Sequence, residues 1–446
     1  MNKFKQLWSN LESSLWFLPA LIVAVSIIFA VALIEADSAG SDRWLAQWPR
    51  LFGAGAEGAR GMMSTIAASM MAVVGVTFSM TLMTLALASS QYTSRILRNF
   101  MRSRVTQTVL GIFAGIFTYC LIVLRTIRGG DEGVFVPSLA VFFGFVLALG
   151  GVGALMFFIH HIATSIQASS IIASVAQETI EAIDRLFPKK LEQGSCEDND
   201  DHTLRLPAKQ YWRTVPARQS GYIQNVDNAS LLRLARDRRT IIRMERGIGQ
   251  FVVRNTALAS LALEDPPDQE TIAALQATFS ISRHRTVEQD LAFGIRQIVD
   301  MALKALSPSI NDTTTAVMCV DYLTAILVRL APRQIPSSHR YEDGQLRVVA
   351  KGQSFEGLLA ESFDQVRSNA RGNAAIMLRM LGAIQTIAGL AVDPSRRRTL
   401  RGQVRWIAEV AERTLDSSHE RARVNAQLAH VRQALEADER PEEQKK

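Results

Sequence analysis

Four apolar stretches, Leu15–Ile34, Met62–Ala88, Thr106–Leu124 and Val134–Ile159, fill the first third of the chain without one Asp, Glu, Lys or Arg among them. Each reaches or approaches the roughly 20 residues that an α-helix needs to cross about 30 Å of hydrocarbon. They predict four membrane-spanning helices. Behind them the pattern changes. Ile162–Leu186 keeps a helical period while Gln167, Gln177, Glu178, Glu181 and Asp184 enter it, and Phe187-Pro188 stops it because proline cannot continue a helix. Leu191–His202 is an acidic, polar linker. Gly221–Gln224, Thr240–Met244 and Gln250–Arg254 read as short strands between turn-formers. Helical spacing returns over Thr286–Leu306, where Val287, Leu291, Ile295, Ile298, Ala302 and Ala305 share a stripe, and again over Thr313–Leu330. Gln345–Lys351 suggests another strand. Ser354–Ala370, Ala374–Val392 and Ser395–Leu415 suggest three further helices before a charged tail.

The fold class expected is therefore an α-helical integral membrane domain of four transmembrane helices, followed by a mixed, mainly α-helical cytosolic region that contains a small β-rich module. The corresponding segments are 1–161 for the membrane domain, 162–207 for a helical extension and acidic linker, 208–264 for the β-rich module, 265–416 for the helical domain and 417–446 for the charged tail. The spacing of GYIQ, GIGQFVV and TALASL is similar to a barrel-sandwich module of the biotinyl or lipoyl type, but Gly221–Leu263 holds no lysine to carry either group. Asn373–Val392 competes as a fifth crossing. Its central Arg379 would cost about 2.5–3.5 kcal/mol in a bilayer, and its apolar spacing suits a buried helix of a soluble core.

Charge orients the chain. The link from Glu35 to Gly61 sets four acids against three arginines, whereas Ser89–Val105 holds Arg95, Arg98, Arg102 and Arg104 with no acid. Basic loops stay in the cytoplasm. The expected location is a bacterial inner membrane, with both termini and everything after His161 on the cytoplasmic side. Trp8, Trp16, Trp44 and Trp48 flank the first crossing, where amphipathic rings favour the interface. The 49 basic against 42 acidic residues leave a net charge of +7, which the flanks of membrane helices account for without nucleic acid. Cys120, Cys196 and Cys319 form no CxxC, so neither a disulfide framework nor a zinc cluster is expected.

The second crossing carries the candidate chemistry of the membrane domain. Thr77, Thr81, Thr84, Ala88 and Gln91 fall on one helical face, with Ser64, Thr65, Ser69 and Ser79 as further hydroxyls. Such a stripe either packs helices through small residues and interhelical hydrogen bonds or lines a polar conduit. No acid or base lies inside a crossing, which argues against a proton relay. In the fourth crossing, Gly144, Ala148 and Gly151 make a close-approach surface.

Two long blocks, SSQYTSRILRNFMRSRVTQTVLGIFAGIFTYCLIVLRTIR (Ser89–Arg128) and RTVEQDLAFGIRQIVDMALKALSPSINDTTTAVMCVDYL (Arg285–Leu323), resemble a bacterial membrane-protein family defined as domain of unknown function 2254. The resemblance spans from about Trp8 to about Leu390. It implies a four-helix membrane front and a cytosolic rear, and it brings no activity, cofactor or catalytic residue. Within the second block, Asn311, Asp312 and Thr313 open a helix where a cap or a polar ligand site could form. Asp290 and Gln297 on the preceding helix could fold back beside them, and Arg296, Asp300 and Lys304 form a charged row.

No phosphate loop, zinc pair or nucleophile elbow is present in the sequence. The expectation is a homo-oligomeric channel or passive transport protein without cofactor or metal. Thr77, Thr81, Thr84 and Gln91 would line it, Arg95, Arg98, Arg102 and Arg104 would form its cytosolic mouth, and a small ion or other ligand would pass. The alternatives are a non-conducting scaffold or sensor and, further off, a membrane enzyme near Asp290, Asn311 and Asp312.

Overall fold

The apolar stretches fold as helices α1 (Phe17–Ser38), α2 (Ala56–Gln91), α3 (Arg104–Thr126) and α4 (Ser138–Ser165). They belong to a computed structural model that describes residues 16–38, 55–91, 104–128, 135–165, 167–189 and 211–437. Two compact units divide the chain, Met1–Gln167 and Ala168–Lys446.

In the first unit α3 is the hub. It packs against α1, α2 and α4, and it is the most buried of the four helices. Glycine makes this possible. A Cβ on Gly111 would meet Ile22 Cδ1 at 2.6 Å and Pro19 Cα at 3.0 Å, and one on Gly115 would meet Ser26 Oγ at 2.5 Å. Backbones that approach this closely gain van der Waals contact that lipid cannot supply. Gly144 and Gly151 of α4 do the same against Met63 and Ile116, as the close-approach surface in the sequence suggests.

Polar groups lock the helix ends across the unit. Asp37, at the end of α1 and only 8% exposed, accepts from Leu139 N at 3.1 Å and Ala140 N at 3.2 Å, so it caps α4 from another helix. The Tyr119 hydroxyl donates to Ala140 O at 2.7 Å, and Arg60 Nη2 donates to Ile127 O, just past the end of α3, at 2.8 Å.

The second unit begins with α5 (Ala168–Leu186). A β-rich part follows: β1 (Trp212–Pro216), β2 (Gly221–Val226), α6 (Asn228–Asp237), β3 (Ile242–Met244), β4 (Phe251–Val252), β5 (Ala257–Ala262), α7 (Gln269–Ala277) and β6 (Phe279–Ser282). Then come α8 (Leu291–Ala305), α9 (Thr313–Leu330), β7 (His339–Glu342), β8 (Gln345–Val349), α10 (Phe355–Asn369), α11 (Ala374–Ala388), α12 (Pro394–Thr414) and α13 (Ser418–Ala437). Asp227, Asp268, Asp290, Asp312, Ser354, Asn373 and Asp393 each cap the helix that follows by accepting a backbone N–H. Asp290 explains why α8 starts later than its apolar stripe suggests.

The barrel-sandwich expectation is corrected here. The strands form an open five-stranded sheet of order β1-β5-β3-β8-β7 and a separate three-stranded sheet of order β4-β2-β6. β8 comes from far downstream and pairs in parallel with β3, Ile242 facing Val348. A module bounded at residue 264 lacks that partner. The core lies between the sheets and α6, around Val215, Ile223, Leu231, Ile242, Leu261 and Val348.

The count of four apolar helices is also corrected. Among the described residues, five helices are long and apolar enough to cross a membrane, the fifth being α9. It packs against α5, α8 and α11, and its polar residues Asp321 and Arg329 are ion-paired with Arg379 and Asp184. The stretch at Asn373–Val392 instead yields α11, a helix of 15 residues with Ile376, Met377, Leu381 and Ile384 buried.

The tight α1–α3 seam makes a test. Gly111→Val should destabilise the protein by about 1–3 kcal/mol through overpacking against Pro19 and Ile22, read as a lower midpoint of thermal unfolding in detergent. Gly150→Ala, where the added carbon meets open space, should leave the midpoint unchanged.

Candidate functional site

Along α2, Met63, Met70, Thr77 and Thr84 recur at intervals of seven and are all buried. Thr77 is 0% exposed, and its hydroxyl donates to Val73 O at 2.7 Å; the Thr81 hydroxyl donates to Thr77 O at 2.8 Å. The structure thus places Thr77 and Thr84 on one face, as their spacing predicts. That face points into the helix unit and not outward. Gln91 is the last residue of α2, and its side chain lies outside the described part. Arg95, Arg98 and Arg102 lie outside the described residues, while Arg104 opens α3 and is exposed. The other side of α2 presents Ser64, Thr65, Ser69 and Ser79 to the exterior, the Thr65 hydroxyl donating to Gly61 O at 2.8 Å.

In the second unit, the residues proposed to gather around Asn311 are held apart. Asp290 caps the start of α8, and Asn311 follows its far end. Fifteen helical residues put about 22 Å between the two ends at 1.5 Å per residue. That rigid spacer corrects the expectation that Asp290 folds back beside Asn311. Asn311 takes φ +47°, a left-handed conformation that its short polar side chain tolerates. Asp312 accepts from Thr315 N at 3.0 Å and from the Thr315 hydroxyl at 2.6 Å. The Thr313 hydroxyl accepts from Asn373 Nδ2 at 3.0 Å, which ties the start of α9 to the start of α11. Arg296 pairs with Asp300 at 2.9 Å and with Glu361 of α10 at 3.3 Å, so the charged row is an inter-helix contact. Gln297 is 3% exposed, and its Oε1 has no hydrogen-bond partner among the described residues.

The densest constellation is built on Asp290. Its carboxylate is 1% exposed and takes a two-pronged contact from Arg285, Nε to Oδ2 at 2.7 Å and Nη2 to Oδ1 at 3.0 Å. Phe293 N donates to Oδ1 at 3.2 Å, and Gln353 Nε2 donates to it at 3.0 Å. Gly249, at φ +80°, lies so close that a Cβ there would strike Asp290 Oδ2. Only glycine meets both demands, a left-handed backbone and a close approach. One carboxylate therefore ties the start of α8 to the lead into α10, with the Gly247–Gln250 turn packed directly against it. Arg285 stands five positions before Asp290 in the second quoted block, so the pair was visible as two opposite charges. Its link to Gly249 and Gln353 was not.

A second constellation closes helix ends. Asp184 of α5 accepts from Arg329 at 2.7 and 2.8 Å and from Arg333 at 2.7 Å. Arg333 also donates to Pro188 O at 2.8 Å. Arg396, 1% exposed, donates to Ala331 O at 2.6 Å and Arg333 O at 2.8 Å, and its guanidinium lies 5.0 Å over the Phe355 ring. These cations sit where helix carbonyls and their dipoles attract them. Hydrogen bonding from Arg329 holds the Asp184 carboxyl below its ordinary range, and the Thr315 contacts do the same for Asp312. Burial pushes the Cys319 thiol up to about 12, which leaves it a poor nucleophile. Among the described residues, no three His, Cys, Asp or Glu side chains gather as metal ligands do.

The family described as predicted membrane protein (DUF2254) matches residues 12–386. The chain belongs to this family. Uncharacterized protein Rv1290c of Mycobacterium tuberculosis (strain ATCC 25618 / H37Rv) and uncharacterized protein Mb1321c of Mycobacterium bovis (strain ATCC BAA-935 / AF2122/97) are each 31% identical to it over 464 residues, covering 99% of this chain and 84% of the relative. No solved structure matches the chain. This DUF2254 protein is thus a multi-span bacterial membrane protein, and its similarity to these relatives runs over the sequence of both units.

Breaking the Asp290 constellation should be costly. Asp290→Ala strands a largely buried guanidinium, and about 3 kcal/mol of stability should be lost. Gly249→Ala should also destabilise, by about 1–3 kcal/mol from backbone strain alone. Because the two residues touch, the double variant should lose less than the two single losses added together. Chemical unfolding of the four proteins measures this directly.

Acid should act through Asp184 and Asp312. Both carboxyls have a folded pKa below the unfolded value of about 4, so their contribution is full above that pH and disappears as pH falls through the folded value. Asp312→Asn keeps a capping oxygen. The variant should melt below wild type at pH 7, and the gap should narrow as pH falls below about 4; a gap that stays constant with falling pH would count against the assignment.

Proposed function

We propose that this DUF2254 protein is an oligomeric channel or passive transport protein of the bacterial inner membrane, with its second unit in the cytosol as a gating or anchoring domain. The observation that carries this is the outer face of α2. Ser64, Thr65, Ser69 and Ser79 project from the helix unit, while the opposite face of the same helix is buried. Hydroxyls in hydrocarbon favour protein or water over lipid. Copies of the chain meeting around this face would give them both, with the serines and Thr65 lining a shared polar path. The lining is thereby assigned to the outer hydroxyls, and Thr77 and Thr84 become packing residues that hold α2 against its neighbours.

The four-arginine segment supports a cytosolic mouth, since basic loops stay inside, and its charge would favour anions. A non-conducting anchor for a sensory second unit is the competing function. In that case the α2 face would be only a seam between copies. Purified protein in liposomes separates the two. Ser69→Leu with Ser79→Leu should reduce anion flux at least about tenfold, whereas Thr77→Val should leave it near wild type because that side chain is buried inside the helix unit. If the wild type passes no ion or small solute under any gradient, the conduit should be abandoned in favour of the anchor.

A further inference from the structure

β7 and β8 form an edge ribbon of the five-stranded sheet, and their register breaks once. His339 faces Val349 and Arg340 faces Val348, but Tyr341 faces Leu346 and Glu342 faces Gln345. Arg347 is the extra residue, a bulge with no cross-strand partner of its own. Bulges at sheet edges interrupt the alternation of faces and re-aim a side chain. Here the re-aimed residue is an arginine, and its neighbour Val348 is paired with another arginine. The two backbones lie within about 7 Å of each other.

Both arginines are half-buried, and the Nε of each is shut from solvent without a hydrogen-bond partner among the described residues. Neither makes an ion pair with a described residue. Glu342, the nearby acid on β7, turns Oε1 to Arg236 of α6 at 3.2 Å, and its Oε2 is buried without a hydrogen bond to Arg340, Arg347 or any other described residue. Burial lowers the Arg340 pKa, the direction expected of a cation short of compensating charge. Arg285 and Arg333 elsewhere in the unit are also largely buried, yet both are closed on carboxylates. A desolvated guanidinium that is left open is expensive. An anion from outside would satisfy it.

We propose that Arg340 and Arg347 form a binding site for a phosphate-type oxyanion, gripped by two guanidinium forks from neighbouring strands. A phosphate offers enough oxygens and charge for two bidentate contacts, where a carboxylate is filled by one. Free phosphate and a phospholipid headgroup share this chemistry. The site stands whether or not the membrane unit conducts.

The test uses the full chain in nanodiscs of zwitterionic lipid, with thermal unfolding followed as inorganic phosphate is added at constant ionic strength. Binding to the folded state should raise the midpoint in a saturable way. Arg340→Gln and Arg347→Gln should each weaken the apparent affinity at least tenfold, while the exposed Arg254→Gln should not change it. Should the glutamine variants fail to fold, Arg340→Lys, which keeps the charge and loses the fork, replaces them. A stabilisation that appears only when phosphatidylglycerol is included, and that Arg340→Gln or Arg340→Lys abolishes, would support the site and identify a headgroup as its ligand. No response of the wild type to either source, or a response undiminished in the folded variants, would overturn the proposal.

Discussion

A helix end that is shut away from water must find partners for its free backbone groups, because nothing around it will replace the missing hydrogen bonds. This chain meets that constraint with side chains borrowed from distant elements. Asp37 of α1 closes the start of α4, and Arg60 of α2 reaches the carbonyl just beyond α3. In the second unit, Arg333 closes the end of α5 and Arg396 the end of α9. Each contact satisfies orphan backbone groups and, in the same stroke, fixes how two helices lie against each other. Helix position is therefore specified by a few charged residues, with apolar burial filling the space between them.

The Asp290 constellation extends this logic from two elements to three. Its carboxylate caps α8 in the ordinary way through Phe293 N, then uses its remaining capacity on Arg285 and Gln353. The approach of Gly249 removes room for solvent at the same point. Hydrogen bonds from the segments around α8 and α10 and a close backbone approach from the β-rich part thus meet at one carboxylate.

Much of this architecture was legible in the sequence, and the parts that were not share a cause. Long charge-free stretches announced α1 to α4, and helical spacing announced α8 to α12, with a capping Asn-Asp ahead of α9, because both signals are local. β8 was recognised as a strand from Gln345 onward, but its parallel pairing with β3 depends on a partner some hundred positions upstream, and no local pattern records it. The barrel-like spacing of GYIQ and GIGQFVV misled for the same reason. Asn311 and Asp290 were placed together because they share a block, although a helix longer than the reach of any side chain separates them. The arginines that close helix ends were equally silent, since an Arg396 that is 1% exposed looks in sequence like its solvated neighbours.

The two faces of α2 show what spacing alone leaves open. Thr77, Thr81 and Thr84 form the more regular hydroxyl series, and periodicity favours them as a functional stripe. Their oxygens are already spent, Thr77 on Val73 O and Thr81 on Thr77 O, and threonine in a helix readily makes such bonds to the preceding turn. A hydroxyl so engaged, such as that of Thr77 on the buried face that also carries Met63 and Met70, contributes shape more than polarity. The less regular series of Ser64, Thr65, Ser69 and Ser79 is the one that meets the exterior. A serine can turn its hydroxyl between its own backbone and an outside partner at little cost, having one fewer methyl group to place. Polarity available to a second molecule therefore resides on the face that sequence regularity ranks lower, and which face is outward follows only from where α3 and α4 cover the helix.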